Sequence, residues 1–437
     1  MQRLLTLALL ALLTIVFASC LEEKCEENRL VLGFEPVVVT SDAWRNSAFI
    51  CGIPEPVCEA GGFYVYGPYL FMVETNRGLH IYDNSDTRNP RPITFMEAPG
   101  GQGIAVRNDI LYMNQYTDLV AFDLSNPENP TLVGRTEDVF DPYSIFAQVL
   151  GGGEFITDFV ETGERRVLTC NSPNWGQNFW REGGVFFAQS RNELAFNFDA
   201  GNVTNTAGGT PENVGQGGSL ARFTIASSTL YAVDDQNLKA FSLANPIAPV
   251  FQGNINLGWG IETIFPYEDK LFIGSQTGMQ IFSIANPLVP EHLSTFEHVL
   301  ACDPVVVAND LAYVTLWGGR DCGSIGDQLE IIDVSNAREP RSLQITPMSS
   351  SHGLAVAEGK LFLCSQWEGF RVFDLTDDGL LGEQLDHSTE IFARDVIVLP
   401  QNNELIVLGY GQEKGIQQFN YDEAGRLTPT SHISVCD

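Results

Sequence analysis

From Tyr69 to the C-terminus, apolar and polar residues alternate with a period of two, in short runs that end at turn-forming residues. Asp118-Leu-Val-Ala-Phe-Asp-Leu-Ser-Asn-Pro127 shows the unit: an alternating strand runs into an Asn-Pro turn, where the missing N–H ends the pairing. Related stretches lie at Gly78–Pro92, Asn237–Pro249, Gly278–Pro290 and Gln328–Pro340. Weaker copies follow at Gly369–Leu381 and Gly415–Leu427, where Asp377-Asp-Gly379 and Glu423-Ala-Gly425 replace the Asn-Pro turn. Tyr82 to Phe122 is 40 residues, and Phe241 to Phe282 and Ile332 to Phe373 are 41 each. A second apolar run precedes each copy, such as Ile110-Leu-Tyr-Met113 or Lys270-Leu-Phe-Ile273. A third, continuously apolar run comes before that, as in Gly103-Ile-Ala-Val106 and Pro304-Val-Val-Val307, and suits a strand buried on both faces.

With the strand after the turn, each unit holds four short strands in about 40–45 residues, the period of a propeller blade. One blade cannot bury both of its faces, so the ring is the folding unit. The pattern predicts an all-β, seven-bladed β-propeller with a long insertion, residues 139–218, between the second and third blades. An eighth blade is the alternative, because Phe122 to Phe241 is 119 residues, close to three periods.

The chain before the repeats divides into three. Residues 1–19 pair a short basic start with an apolar run, Leu4–Ala18, too short to span a bilayer, and read as a secretory signal peptide. Cys20 directly after Ala18-Ser19 reads as a lipidation site, against an ordinary signal peptide with an incidental cysteine. Residues 20–28 form an acidic tether, and 29–437 form one propeller domain. Within it Leu30–Gly33 and Pro36–Thr40 read as strands. One of them is expected to pair with the last blade's edge and close the ring.

Charge narrows the partners. Lys and Arg total 24 against 55 Asp and Glu, a net −31, which repels nucleic acid and anionic headgroups. Nine cysteines in an exported chain invite disulfides, and the expected bridges are Cys51–Cys58 and Cys302–Cys322, with Cys364 a buried thiol. No Cys-x-x-Cys pair, P-loop, dinucleotide fingerprint or Gly-x-Ser-x-Gly is present, so no metal or cofactor is expected.

Polar residues near the starts of the innermost runs are the sharpest candidates: Gln102, Arg222, Glu262, Asp303, His352 and Asp395. Inner strands line a propeller's channel, so these groups are expected at one mouth of it. There they would bind a polar ligand, do acid–base work through Glu262, Asp303 and His352, or bond neighbouring blades and lock the ring. Trp259, Trp317 and Trp367 fall near strand ends in consecutive blades, and Trp175 and Trp180 lie in the insertion. Each set would form an aromatic docking surface or pack internally.

Leu119-Val-Ala-Phe-Asp-Leu-Ser-Asn-Pro127, together with Gly258–Gly278 and Cys302-Asp-Pro-Val-Val-Val307, resembles the LVIVD-repeat lipoproteins of Bacteroidetes over about residues 35–437. The resemblance implies a propeller anchored in the cell envelope and brings no catalytic set. The acidic cluster after Cys20 resembles the surface-export signal of such lipoproteins, against a plain solvated linker. The expectation is therefore a lipid-anchored outer-membrane protein facing the cell surface. It would bind or scaffold envelope proteins without catalysis, the alternative being a hydrolase or lyase at the channel mouth.

Overall fold

The computed structural model describes residues 28–436 apart from 48, 59, 75–76, 141–148, 152–153, 176, 178, 190–213, 235, 299–303, 318–325 and 411–414. Among them the structure is almost wholly antiparallel sheet. The chain divides into two compact units, residues 1–38 with 158–197, and residues 39–157 with 198–437.

The larger unit is a β-propeller. Its described residues form seven antiparallel sheets in sequence, six with four strands and the first with six. The second sheet shows the plan: Ile104–Arg107 innermost, then Ile110–Gln115, Asp118–Asp123 and, outermost, Thr131–Thr136. The third to seventh sheets begin with the inner strands Phe223–Ala226, Ile261–Tyr267, Val305–Ala308, Ser351–Ala357 and Phe392–Leu399. The end at which inner strands begin is called upper below. The two middle strands are buried along their length, as the near-continuous apolar runs require, whereas outer strands alternate. In all seven sheets a bulge interrupts the pairing of the third and fourth strands, for example between Leu132 and Gly134. Such bulges twist an outer edge away from further pairing.

The repeated Asn-Pro turn has a packing role. Tyr112 Oη donates to Pro246 O at 3.0 Å, Tyr231 Oη to Pro287 O at 2.6 Å and Tyr313 Oη to Gly379 O at 2.9 Å. Each tyrosine sits on a second strand and reaches a turn in a neighbouring sheet, so turn and tyrosine lock adjacent sheets together. Burial pushes the Tyr112 and Tyr313 hydroxyls up to about 12, which keeps them donors at any physiological pH.

Ring closure differs from expectation. Leu30–Gly33 and Pro36–Thr40 belong to one strand, Asn28–Thr40, which pairs with Val185–Ala188 in a separate five-stranded sheet and not with the last sheet. The seventh sheet instead supplies all four of its own strands, ending with Leu427–Ser434. It meets the first sheet through side chains. Asn84 and Gln418 exchange amide hydrogen bonds at 3.0 and 2.8 Å, and Ser431 Oγ donates to Thr87 O at 2.6 Å.

The disulfide pairing also corrects expectation. Cys58 bonds Cys436, across 378 residues of sequence, and Cys51 is free. The reason is local: Val57 bridges Val435, which sets the next residues side by side with Cα atoms 4.7 Å apart. Cys51 lies on Ile50–Gly52, paired to Met96 in the first sheet. Closing so long a loop constrains the unfolded chain by up to about 5 kcal/mol. Cys364 is a fully buried thiol, and burial raises it well above the ordinary range. Cys302 and Cys322 lie outside the described residues.

The smaller unit absorbs both tryptophans singled out in the insertion. Trp175 and Trp180 pack against a small core of Val31, Leu168 and Phe187. Trp180 stacks on Phe187 with centroids 5.2 Å apart, and the Arg29 guanidinium lies 5.5 Å from the Trp175 ring.

Candidate functional site

The ring's axis is filled by the chain itself. Val214 bridges Arg107, Gly215 N–H donates to Val106 O at 3.0 Å, and Gln216–Gly217 pairs with Val65 and Tyr64 as an extra innermost strand. Gln216 Nε2 donates to Val398 O at 3.1 Å, and Ala221 O accepts from Ile264 N–H at 2.7 Å. The segment 214–221 thus bonds the inner strands of the first, second, fourth and seventh sheets within eight residues, which only an axial path allows.

Asp395 anchors this segment. It is buried, and its Oδ1 accepts from Ser219 N–H, Ser219 Oγ and Val396 N–H, each at 2.9 Å. Ser219 Oγ in turn accepts from Leu354 N–H at 2.9 Å, which brings in the sixth sheet. A side chain at Gly218 or Gly353 would strike the carboxylate: a Cβ there would stand 1.9 and 2.4 Å from its oxygens. Burial pushes this carboxyl up to about 6 despite the hydrogen bonds from Ser219, Val396 and Leu220, which pull it down. Asp395 thus serves as a structural acceptor.

The other candidates lie around the upper ends of the sheets. His352 is buried, with its ring 4.4 Å from Trp317 and its carbonyl accepting from Thr315 Oγ1 at 2.6 Å. Glu262 Oε1 accepts from Gln276 Nε2 at 3.3 Å. Gln102 is held by its backbone, whose N–H donates to Asn114 Oδ1 at 3.0 Å, while its Nε2 is buried without a hydrogen-bond partner. Arg222 O accepts from Val233 N–H at 2.8 Å. Asp303 and Cys20 lie outside the described residues. Among the described residues no three His, Cys, Asp or Glu side chains gather as a metal-binding group.

A second polar set was missed in the sequence: the third residue of third strands. His80, Lys239, Glu330 and Arg371 all occupy that place and are all buried. Three have a nearby carboxylate partner. His80 Nε2 lies 2.8 Å from Glu74, Lys239 Nζ 3.1 Å from Asp234 and Arg371 Nη1 2.8 Å from Glu368. Burial pushes the Glu74 carboxyl up, but hydrogen bonds from His80 and Arg77 outweigh it and leave it below the ordinary range. The signal was legible as a polar residue interrupting an apolar run, Leu79-His-Ile81 or Phe370-Arg-Val372.

Three upper corners share one hydrogen bond but not one environment. Tyr116 N–H donates to Gly100 O, Gln276 N–H to Gly260 O and Gln366 N–H to Ser350 O. At the second sheet's corner the short helix Ser41–Arg45, capped by Thr40, lays Trp44 on Tyr116 with centroids 5.1 Å apart, and Phe155 closes the cluster. Arg45 grips the buried Asp118 with two bonds of 2.9 and 2.7 Å, and Arg135 adds a third at 2.8 Å. At the fourth and sixth sheets nothing comparable among the described residues lies over Trp259 and Trp367, which are 60% and 68% exposed.

The four-strand unit has a match among known families. Residues 101–138 match the LVIVD repeat. The match spans the second sheet, so an LVIVD repeat here is one four-stranded sheet with its Asn-Pro turn. No curated protein matches the chain. Among solved structures, a 6-phosphogluconolactonase-like protein of Bacteroides fragilis is 11% identical, with TM-score 0.53, covering 87% of this chain and 97% of its own. A protein from Lactobacillus plantarum is 12% identical, with TM-score 0.54, covering 86% and 96%. The periplasmic gluconolactonase of Pseudomonas aeruginosa is 9% identical, with TM-score 0.50, also covering 86% and 96%. At such identities the likeness is one of fold, the β-propeller.

Proposed function

We propose that this protein is a cell-envelope lipoprotein of the Bacteroidetes type, held by lipid on Cys20 at the outer membrane. Its propeller acts there as a non-enzymatic binding or scaffold module for envelope proteins. The observation that carries the non-enzymatic reading is the filled axis. Residues 214–221 occupy the place where channel-mouth catalysis would need an open cavity, and Asp395 is bonded to that segment. The signal-like start, the Cys20 motif and the net −31 support export and argue against a nucleic-acid role.

Two experiments test this. Replacing Cys20 with Ser is expected to move the protein from the membrane pellet to the soluble fraction, and retention in the pellet would count against the lipid anchor. Affinity isolation after cross-linking in native cells is expected to recover an envelope protein in fixed ratio. Recovery of the free chain alone, with a hydrolytic activity that Glu262→Gln or His352→Ala abolishes, would overturn the scaffold reading.

A further inference from the structure

The fourth, fifth and sixth sheets each present one tryptophan at the upper end. Trp259 lies in the loop leading into Ile261–Tyr267, Trp317 directly follows Leu311–Leu316, and Trp367 sits in the turn before Gly369–Leu375. Trp317 is half-buried on His352. The other two are bare, at 60% and 68% exposure. Trp259 is flanked by Gly258 and Gly260, at φ 96° and 73°, backbone that other residues rarely adopt. The loop is also fixed from behind, since Gln276 N–H donates to Gly260 O at 2.9 Å and Gly258 N–H to Asn256 Oδ1 at 3.3 Å. A constrained loop is thus spent on holding an indole in water. Trp367 is steadied by the edge of Phe392, with centroids 6.2 Å apart.

We propose that this upper face binds a neutral saccharide, with sugar rings stacked on Trp259 and Trp367. A pyranose has an apolar C–H face and a hydroxyl edge. An indole suits the face, and carboxylate, amide and imidazole groups suit the edge. Those groups are present: Glu262 and Gln276 bond each other beside Gly260, and Glu368 beside Trp367 contacts Arg371 and His387. A protein partner would call for anchors set in a packed apolar surround. The exposed aliphatic residues of these sheets lie elsewhere, on outer strands and lower turns such as Leu343, Ile345 and Val289. The net −31 selects against a polyanionic glycan.

Affinity electrophoresis through gels containing laminarin, yeast mannan or xyloglucan tests the proposal, with dextran sulfate as the charged comparison. At least one neutral polysaccharide is expected to retard the intact protein. Trp259→Ala and Trp367→Ala are each expected to weaken retention about tenfold or more while leaving the unfolding midpoint unchanged. No retardation by any of the three neutral polymers, equal retardation of the double variant, or preference for dextran sulfate would each overturn it. Loss of a cross-linked envelope protein from the double variant, without saccharide binding, would instead make this face a protein interface. That outcome leaves the scaffold reading standing.

Discussion

The corners of the second and fourth sheets are built on the same hydrogen bond yet are treated oppositely. At the second, Trp44 covers Tyr116, and two arginines converge on the buried Asp118, so the charge buried there is paired within the chain. At the fourth, two left-handed glycines lift Trp259 into solvent. An aromatic group that adds stability is buried, and an aromatic group kept bare in a constrained loop contributes little to folding. Position in a repeat therefore does not assign a role; what lies over the position does.

The largest effects should come from the covered corner. Asp118→Ala would leave Arg45 and Arg135 without their buried counter-charge, at a cost of about 3–5 kcal/mol. Urea unfolding measures this, and a loss below about 1 kcal/mol would mean that the arginines find solvent easily. Trp44→Ala should also cost about 3–5 kcal/mol, whereas Trp367→Ala should stay within about 0.5 kcal/mol. Equal losses at the two tryptophans would erase the contrast.

Asp395 extends the comparison to the axis, where a carboxylate is satisfied but costly. Its folded value, about 6, lies above the usual 3.8, so the folded state holds the proton more tightly. The resulting stabilisation is full below about 3.8 and is lost as pH rises through 6. Asp395→Asn keeps an acceptor and cannot ionise. Its stability relative to the parent should rise from near zero at pH 4 to about 3 kcal/mol at pH 7. A difference that stays flat across that range would contradict the assignment. Smaller than the effect at Asp395 is that of the lock between sheets. Tyr313→Phe should cost about 1 kcal/mol by removing the bond to Gly379 O, and no measurable change would show that water replaces the hydroxyl.

The repeat made the architecture legible, because strand alternation and Asn-Pro turns are local signals that each sheet states again. The tyrosine locks were readable only in part: the hydroxyl is in the sequence, but its acceptor is a turn carbonyl 66 residues away for Tyr313. Cys58–Cys436 was out of reach because its pairing depends on how the ends of the ring meet. Gln216–Gly217 resembled loop, since glycine-rich sequence carries no alternation, and its strand character comes wholly from Tyr64 and Val65 beside it. Glu262, His352 and Asp395 lie on innermost strands and Gln102 and Arg222 just before them, but Asp395 had a partner that no repeat could announce.

The axial segment also bears on how the ring can be made. Residues 214–221 leave the ribosome after the first two sheets and before the other five. They pair with the first sheet, already synthesised, and offer Ser219 to a seventh that does not yet exist. The later sheets can therefore be wound around a mandrel already in place. No finished hole has to be threaded, and the chain avoids the entanglement that an insertion arriving after closure would impose.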